Sequence, residues 1–290
     1  MNRPEGSLAD RVTQHWVRGT GQRVLLADAP WLDGPRGDVD RIGTDFFHRY
    51  AERHGFRVES SSAGRGLLSD FSVLDGPECV TAKVHPAVAQ FYEQTAAFDL
   101  DVWSEWSGLF RPFGSALASI FSRRLQQLNV PLSPLDTSRG ISSTVLHMVD
   151  GSGTVRHVAW VREVLASRDT LYAGSYSTCM VPGHVGTCIR VVFPLPNGHA
   201  TVVMKPQVSD DGSLTLLSSG SGFGDPGFYF FVGDGPDGGW SRYVPTLKES
   251  IRVYVDDQAE LRADHGLRIW RTTFLRLHYR MTPRQGEVNG

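Results

Sequence analysis

The chain has 290 residues, of which 40% are apolar and 21% charged, with a net charge of −2. That length suits one large domain or two small ones, and the apolar share is enough for a packed core. No block of like charge stands out, which excludes a nucleic-acid footprint, and no apolar run approaches the ~20 residues of a membrane helix.

The first residues, MNRPEGSLADRVTQHW, lack the apolar run of a signal peptide, so a cytoplasmic location is expected. RVLLADAP (23–30) reads as a short strand ending at Pro30. DVDRIGTDFFHRYAERHG (38–55) places Val39, Ile42, Phe46 and Tyr50 on one helical stripe, with Gly55 as the C-terminal cap. FRVESSSAGRG (56–66) reads as a strand running into a loop. HPAVAQFYEQTAAF (85–98) starts a helix at Pro86 and carries Val88, Phe91, Tyr92 and Thr95 at helical spacing. FDLDVWSEWSGLF (98–110) has Trp103, Trp106 and Phe110 at i, i+3 and i+7. That spacing reads as a buried helix stripe, with Asp99, Asp101 and Glu105 as its solvated face. PFGSALASIFSRRLQQLN (112–129) repeats the helical pattern, and the prolines of NVPLSPLD (129–136) end it.

From Ile141 the period changes from 3.6 to 2. Ten or so β segments follow, punctuated by DGSG (150–153), NG (197–198), DG (211–212), GFGDPG (222–227) and GPDGG (235–239). Short loops of this kind join antiparallel neighbours. The expected fold class is therefore α+β: a helix-rich N-terminal half packed on a large, curved antiparallel sheet or partly closed barrel. Residues 1–290 are expected to form one domain, with a soft internal boundary near 135 between a mixed part (1–135) and an antiparallel part (136–290).

Three cysteines, Cys79, Cys179 and Cys188, form no CxxC pair and give no disulfide framework. STVLHMVDGSGTVRHVAWVRE (143–163) is the most informative stretch. A three-residue loop with Gly153 in the left-handed position would pair His147 with His157 across two strands. Acid/base work or metal ligation is one reading of this pair; two core histidines, each hydrogen-bonded to a neighbour, is the plainer one. Two ligands are too few for a catalytic zinc, and no HExxH helix supplies a third, so no metal and no organic cofactor are expected. LYAGSYSTC (171–179) puts Tyr172 and Tyr176 on one face with Gly174 between them, a gap that a ligand or a packed ring could fill. His265 sits on an apolar strand face near the C-terminus, Trp160 shares a face with Val158, and Arg252 belongs to an arginine stripe able to hold a carboxylate or phosphate. SSGSGFGDPG (218–227) precedes a strand, where a phosphate loop needs a helix.

These features predict a cofactor-independent enzyme of small-molecule metabolism, biosynthesis included. His147, His157, Tyr172 and Tyr176 would be its acid/base groups, and His265, Trp160 and Arg252 would contact substrate. The partner would be a small hydrophobic molecule, with no nucleic acid, no membrane, and room for homo- or hetero-oligomers. A non-catalytic ligand-binding or partner-subunit protein is the second reading, and a metal-dependent hydrolase the third.

Overall fold

The computed structural model describes residues 8–37, 42–60, 64–107, 141–164 and 170–284. In chain order the elements are α1 (Leu8–Thr20), β1 (Gln22–Leu25), α2 (Phe46–His54), β2 (Arg57–Ser60), α3 (Pro86–Glu93), β3 (Phe98–Trp106), β4 (Ile141–Val149), β5 (Val155–Val164) and β6 (Thr170–Cys179). There follow β7 (Cys188–Leu195), β8 (Gly198–Val208), β9 (Leu214–Leu217), β10 (Gly227–Gly233), β11 (Gly238–Tyr243), β12 (Leu247–Val255), β13 (Leu261–Ile269) and β14 (Thr272–Pro283).

The strands form one 14-stranded sheet running β2-β4-β5-β6-β7-β8-β9-β12-β13-β14-β3, with β10, β11 and β1 branching from β8. Every ladder between named strands is antiparallel. β8 is the hinge of the layout. Its first half is flanked by β7 and β10, and its second half pairs with β9, carrying the sheet from one arm to the other. HATVVM within β8 is buried on both faces, as expected of a strand covered from both sides.

The two arms share one core. Val145 and Trp160 from the first arm meet Val253, Ala263, Leu277 and Tyr279 from the second, and Val88, Phe91 and Tyr92 of α3 pack into the same cluster. Arg284, just beyond β14, donates to the Ser143 carbonyl at 3.0 Å and ties the end of the second arm to β4. Two smaller clusters cover the outside. Phe46, Phe47 and Ala51 of α2 lie on Leu146, Met148, Ala159 and Ala173. Trp31 and Leu32 lie on Cys188, Val203, Tyr229 and Phe231.

Local signals explain the ends of the short helices. Gly55 caps α2 at φ 70°, and Pro86 opens α3 behind His85, whose ring accepts from the Ala87 amide at 3.2 Å. The expected fold class is nevertheless corrected. The antiparallel sheet is present, with eleven strands from Ile141 onward, but the N-terminal part is not helix-rich. It contributes three strands and three short helices, among the described residues, to a molecule dominated by the sheet. The chief error is 98–110. Phe98, Leu100 and Val102 alternate inward while Asp99 and Trp103 face out, and β3 pairs with β14 from Phe98 to Trp106; Phe110 lies outside the described residues. The i, i+3, i+7 aromatics matched a helix by coincidence of spacing, whereas the apolar alternation at 98–102 obeyed the period of a strand. The helix expected over 38–55 begins only at Phe46; Ile42 is buried, and Val39 lies outside the described residues. The helix expected over 112–129 and the break after it also lie outside the described residues.

Candidate functional site

The β4–β5 turn forms as its residues demand. Gly153 sits at φ 85°, and Asp150 accepts from the Ser152 and Thr154 amides at 2.9 and 3.0 Å. The ladder beyond it differs from expectation. Val149 pairs with Val155 but Met148 pairs with His157, so Arg156 is an unpaired extra residue. One such bulge moves every later side chain of β5 to the other face. His147 therefore lies opposite Val158, and the two histidines point to opposite sides of the sheet.

Each histidine has its own surroundings. His147 Nε2 donates to the Gly66 carbonyl at 3.0 Å, and the Arg65 guanidinium reaches its Nδ1 at 3.4 Å. Both ring nitrogens are thus engaged. His157 packs under α2 with its ring 5.4 Å from that of Tyr50 and 5.8 Å from that of Phe56. Burial, reinforced by Arg190, pushes its pKa down to about 4. Arg252 is on the outer face of β12, bound to Asp211 at 2.5 Å and to Ser213 at 3.2 Å, with its guanidinium over Tyr254.

The bulge that separates the histidines builds a different constellation. It places Val158, Trp160 and Arg162 of β5 on the core face, against Tyr172 and Tyr176 of β6. Trp160 donates to Ser143 at 2.8 Å and stands edge-on to both tyrosines, with ring centroids 5.7 Å away in each case. Tyr279 of β14 arrives from the other arm. The Arg162 guanidinium lies 4.5 Å from the Trp160 ring centroid, 4.7 Å from that of Tyr172 and 5.4 Å from that of Tyr279. Arg162 is only 6% exposed. No carboxylate lies within ion-pair distance of it among the described residues, and its Nε has no acceptor. Across the core, His265 Nε2 lies 2.5 Å from Glu249 Oε1. These residues occupy diagonal positions on β12 and β13, within reach of long side chains.

Burial raises the Tyr176 hydroxyl to about 12 and the Tyr172 hydroxyl well above its ordinary value. Both phenols keep their protons at neutral pH and do not act as bases. The gap at Gly174 is closed by Tyr172 itself: a Cβ there would stand 2.8 Å from the Tyr172 hydroxyl oxygen. Of the residues singled out from sequence, Trp160, Tyr172 and Tyr176 come together in the core, while His265 stands half-buried beside Glu249. His147 sits apart from them on the strand, and His157 and Arg252 face elsewhere. Arg162, Glu249 and Tyr279 were missed. Arg162 carried a signal, because two residues along a strand from Trp160 it must share the face of Trp160 in any register. Among the described residues no group of three or more His, Cys, Asp or Glu side chains could hold a metal ion.

A second feature lies at the hairpin joining β13 and β14. Ile269 pairs with Thr272, leaving a two-residue loop of Trp270 and Arg271. Trp270 is 70% exposed and holds φ 52°, a left-handed value that glycine normally takes at the first position of such a loop. Lys248 and Arg268 are direct cross-strand partners beside it. Like charges placed directly opposite destabilise a ladder. Neither they nor Arg271 enters an ion pair among the described residues.

No family model matches the chain, and no solved structure matches it. It is similar to the uncharacterized membrane protein YndJ of Bacillus subtilis (strain 168), at 28% identity over 282 residues. The match covers 92% of this chain and 49% of the relative, so the chain spans about half of that protein's length. The expectations of a cytoplasmic chain, of no dealings with a membrane and of a small-molecule biosynthetic enzyme do not stand against this finding. The relative's name places it at a membrane and assigns it no activity. Geometry removes the paired-histidine chemistry as well, since His147 and His157 lie on opposite faces.

Proposed function

We propose that the protein works at a membrane surface bearing anionic lipid, which it meets with the β13–β14 hairpin. The observation that carries this reading is Trp270. It is large, apolar and exposed, and it is held at a backbone angle that would cost glycine nothing. Tryptophan is the residue enriched at membrane–water interfaces, where its ring sits at the level of the headgroups. Lys248, Arg268 and Arg271 surround it with positive charge, each contributing about 1 kcal/mol toward an anionic surface. The similarity to a protein named as a membrane protein supports the same reading. No helix among the described residues is long and apolar enough to cross a membrane, and contact with a surface requires none.

The test is co-sedimentation with vesicles of phosphatidylcholine alone and of phosphatidylcholine with phosphatidylglycerol. Binding is expected only to the anionic vesicles and weakens as salt rises. Trp270→Ala should abolish most of it. Arg268→Gln and Arg271→Gln should each reduce it about fivefold, the equivalent of roughly 1 kcal/mol. Equal binding to both vesicle types, or none to either, overturns the proposal.

A further inference from the structure

We propose that Arg162 is the receptor for an oxyanion of the carboxylate or phosphate class, held by its guanidinium and the Tyr172 hydroxyl inside the β core. The argument begins with what Arg162 lacks. A buried guanidinium has five N–H donors and a full charge, and proteins bury one only against carboxylates, carbonyls or a ligand. Arg162 is 6% exposed and forms neither an ion pair nor a hydrogen bond among the described residues. Its surroundings are the faces of Trp160, Tyr172 and Tyr279. Ring faces stabilise the charge but accept none of its hydrogen bonds in its own plane. The in-plane donors are thus left for an acceptor from outside the core, and a planar fork suits the paired oxygens of a carboxylate or phosphate.

A second donor stands next to it. The Tyr172 hydroxyl is buried beside that of Tyr176 with no acceptor in hydrogen-bond geometry among the described residues, and its ring is one of the three that contact Arg162. The acid of the core is already engaged: Glu249 lies 2.5 Å from His265 and outside ion-pair distance of Arg162. An arriving anion would meet one cation without an ion pair among the described residues, and Tyr279, under the guanidinium, and Phe193, 5.2 Å from the Tyr172 ring, offer it apolar surface. The oxyanion has two sources, an amphiphile's head or a free inorganic ion.

Isothermal titration of the full chain separates them, with dodecanoate, dodecyl phosphate, inorganic phosphate and dodecyltrimethylammonium as probes. One-to-one binding of an anionic probe is expected, at least tenfold weaker in Arg162→Met and several-fold weaker in Tyr172→Phe. Tighter binding of dodecyl phosphate than of inorganic phosphate assigns an amphiphile's head, and equal binding assigns a free oxyanion. Arg162→Lys keeps the charge and loses the fork, so it should fall between wild type and Arg162→Met; it also serves if Arg162→Met does not fold. The thermal midpoint distinguishes a purely structural arginine. In a receptor, Arg162→Met leaves the ligand-free midpoint unchanged or raised, because a bare buried charge is removed. The inference is overturned if no anionic probe binds, if the cationic detergent binds equally well, or if Arg162→Met binds like wild type. Trp270 sits in the loop before β14, nine residues from Tyr279, so Trp270→Ala should leave these titrations unchanged, and failure of one proposal leaves the other standing.

Discussion

Gly174→Ala is the sharpest perturbation of the aromatic core. The added Cβ would stand 2.8 Å from the Tyr172 hydroxyl oxygen and 3.0 Å from its Cζ. A long, flexible side chain would swing aside at little cost, but Tyr172 cannot. Its ring is held by Phe193 at 5.2 Å, Trp160 at 5.7 Å and Tyr176 at 6.3 Å, with Arg162 over its face. Overpacking of this kind costs about 1–3 kcal/mol. Replacing a strand glycine by alanine returns about 0.5–1 kcal/mol of backbone entropy. Because the ring cannot move, the overpacking cost falls in the upper part of its range, about 2–3 kcal/mol, and the net loss is about 1–2.5 kcal/mol, which lowers Tm by about 2–10 °C in a chain of this size. The obstacle is a specific atom, so a double-mutant cycle tests the reasoning more strictly than the single change. Tyr172→Phe deletes the nearest oxygen and also removes a buried hydroxyl that lacks an acceptor in hydrogen-bond geometry among the described residues, so alone it should be neutral or stabilising. Combined with it, Gly174→Ala should cost at least 0.5 kcal/mol less than it does in wild type, by urea denaturation. Strict additivity would refute the contact. A Gly174→Ala protein as stable as wild type would refute the filled gap altogether.

Other expectations follow from the same structure. Burial pushes His199 down to about 3 and His157 to about 4, so both rings are neutral in the fold while the unfolded chain takes up protons near pH 6.5. Their stabilisation is complete above that pH and is lost as pH falls toward 4. Between pH 7 and 5 each should remove on the order of 2 kcal/mol, with His157→Phe abolishing its share; an unfolding midpoint that stays flat over this range would count against it. Ser143→Ala strands the Trp160 indole N–H and should cost about 1–3 kcal/mol, read by denaturation and by a shift in tryptophan emission. Trp270→Gly relieves the left-handed backbone and should stabilise the protein by about 1 kcal/mol while removing vesicle binding; a loss of stability would show that Trp270 is a packing residue.

Where a local rule settles the backbone, the sequence was legible. Gly55, Pro86 and Gly153 mark their cap, helix start and turn by chemistry that acts within a few residues. The alternation after Ile141 was equally plain, because the strands there bury one or both faces. β3 was misread because two periods compete in the same letters, and only its ladder with β14, from the far end of the chain, selects the strand. The bulge at Arg156 has no glycine or proline to announce it, and it alone decides which of His157 and Trp160 shares a face with His147. The candidate site depends on the same long-range pairing. Tyr172 and Tyr176 could be paired from spacing, whereas Tyr279 and Glu249 reach the same core only through the folding of one arm of the sheet onto the other.

Three choices in this molecule cost folding energy with no local return. Arg162 is buried without a counter-ion among the described residues, Trp270 occupies a glycine's conformation in water, and Lys248 faces Arg268 directly across a ladder. Strain and uncompensated polarity persist where something outside the chain offsets them. For Trp270 and the facing cations that offset has one sign and one polarity, an anionic surface with an apolar interior. For Arg162 it is again negative charge, this time reaching into an apolar core. An anionic lipid carries both properties in one molecule, so the surface contact at the β13–β14 loop and the buried receptor on β5 are complementary to the same chemistry.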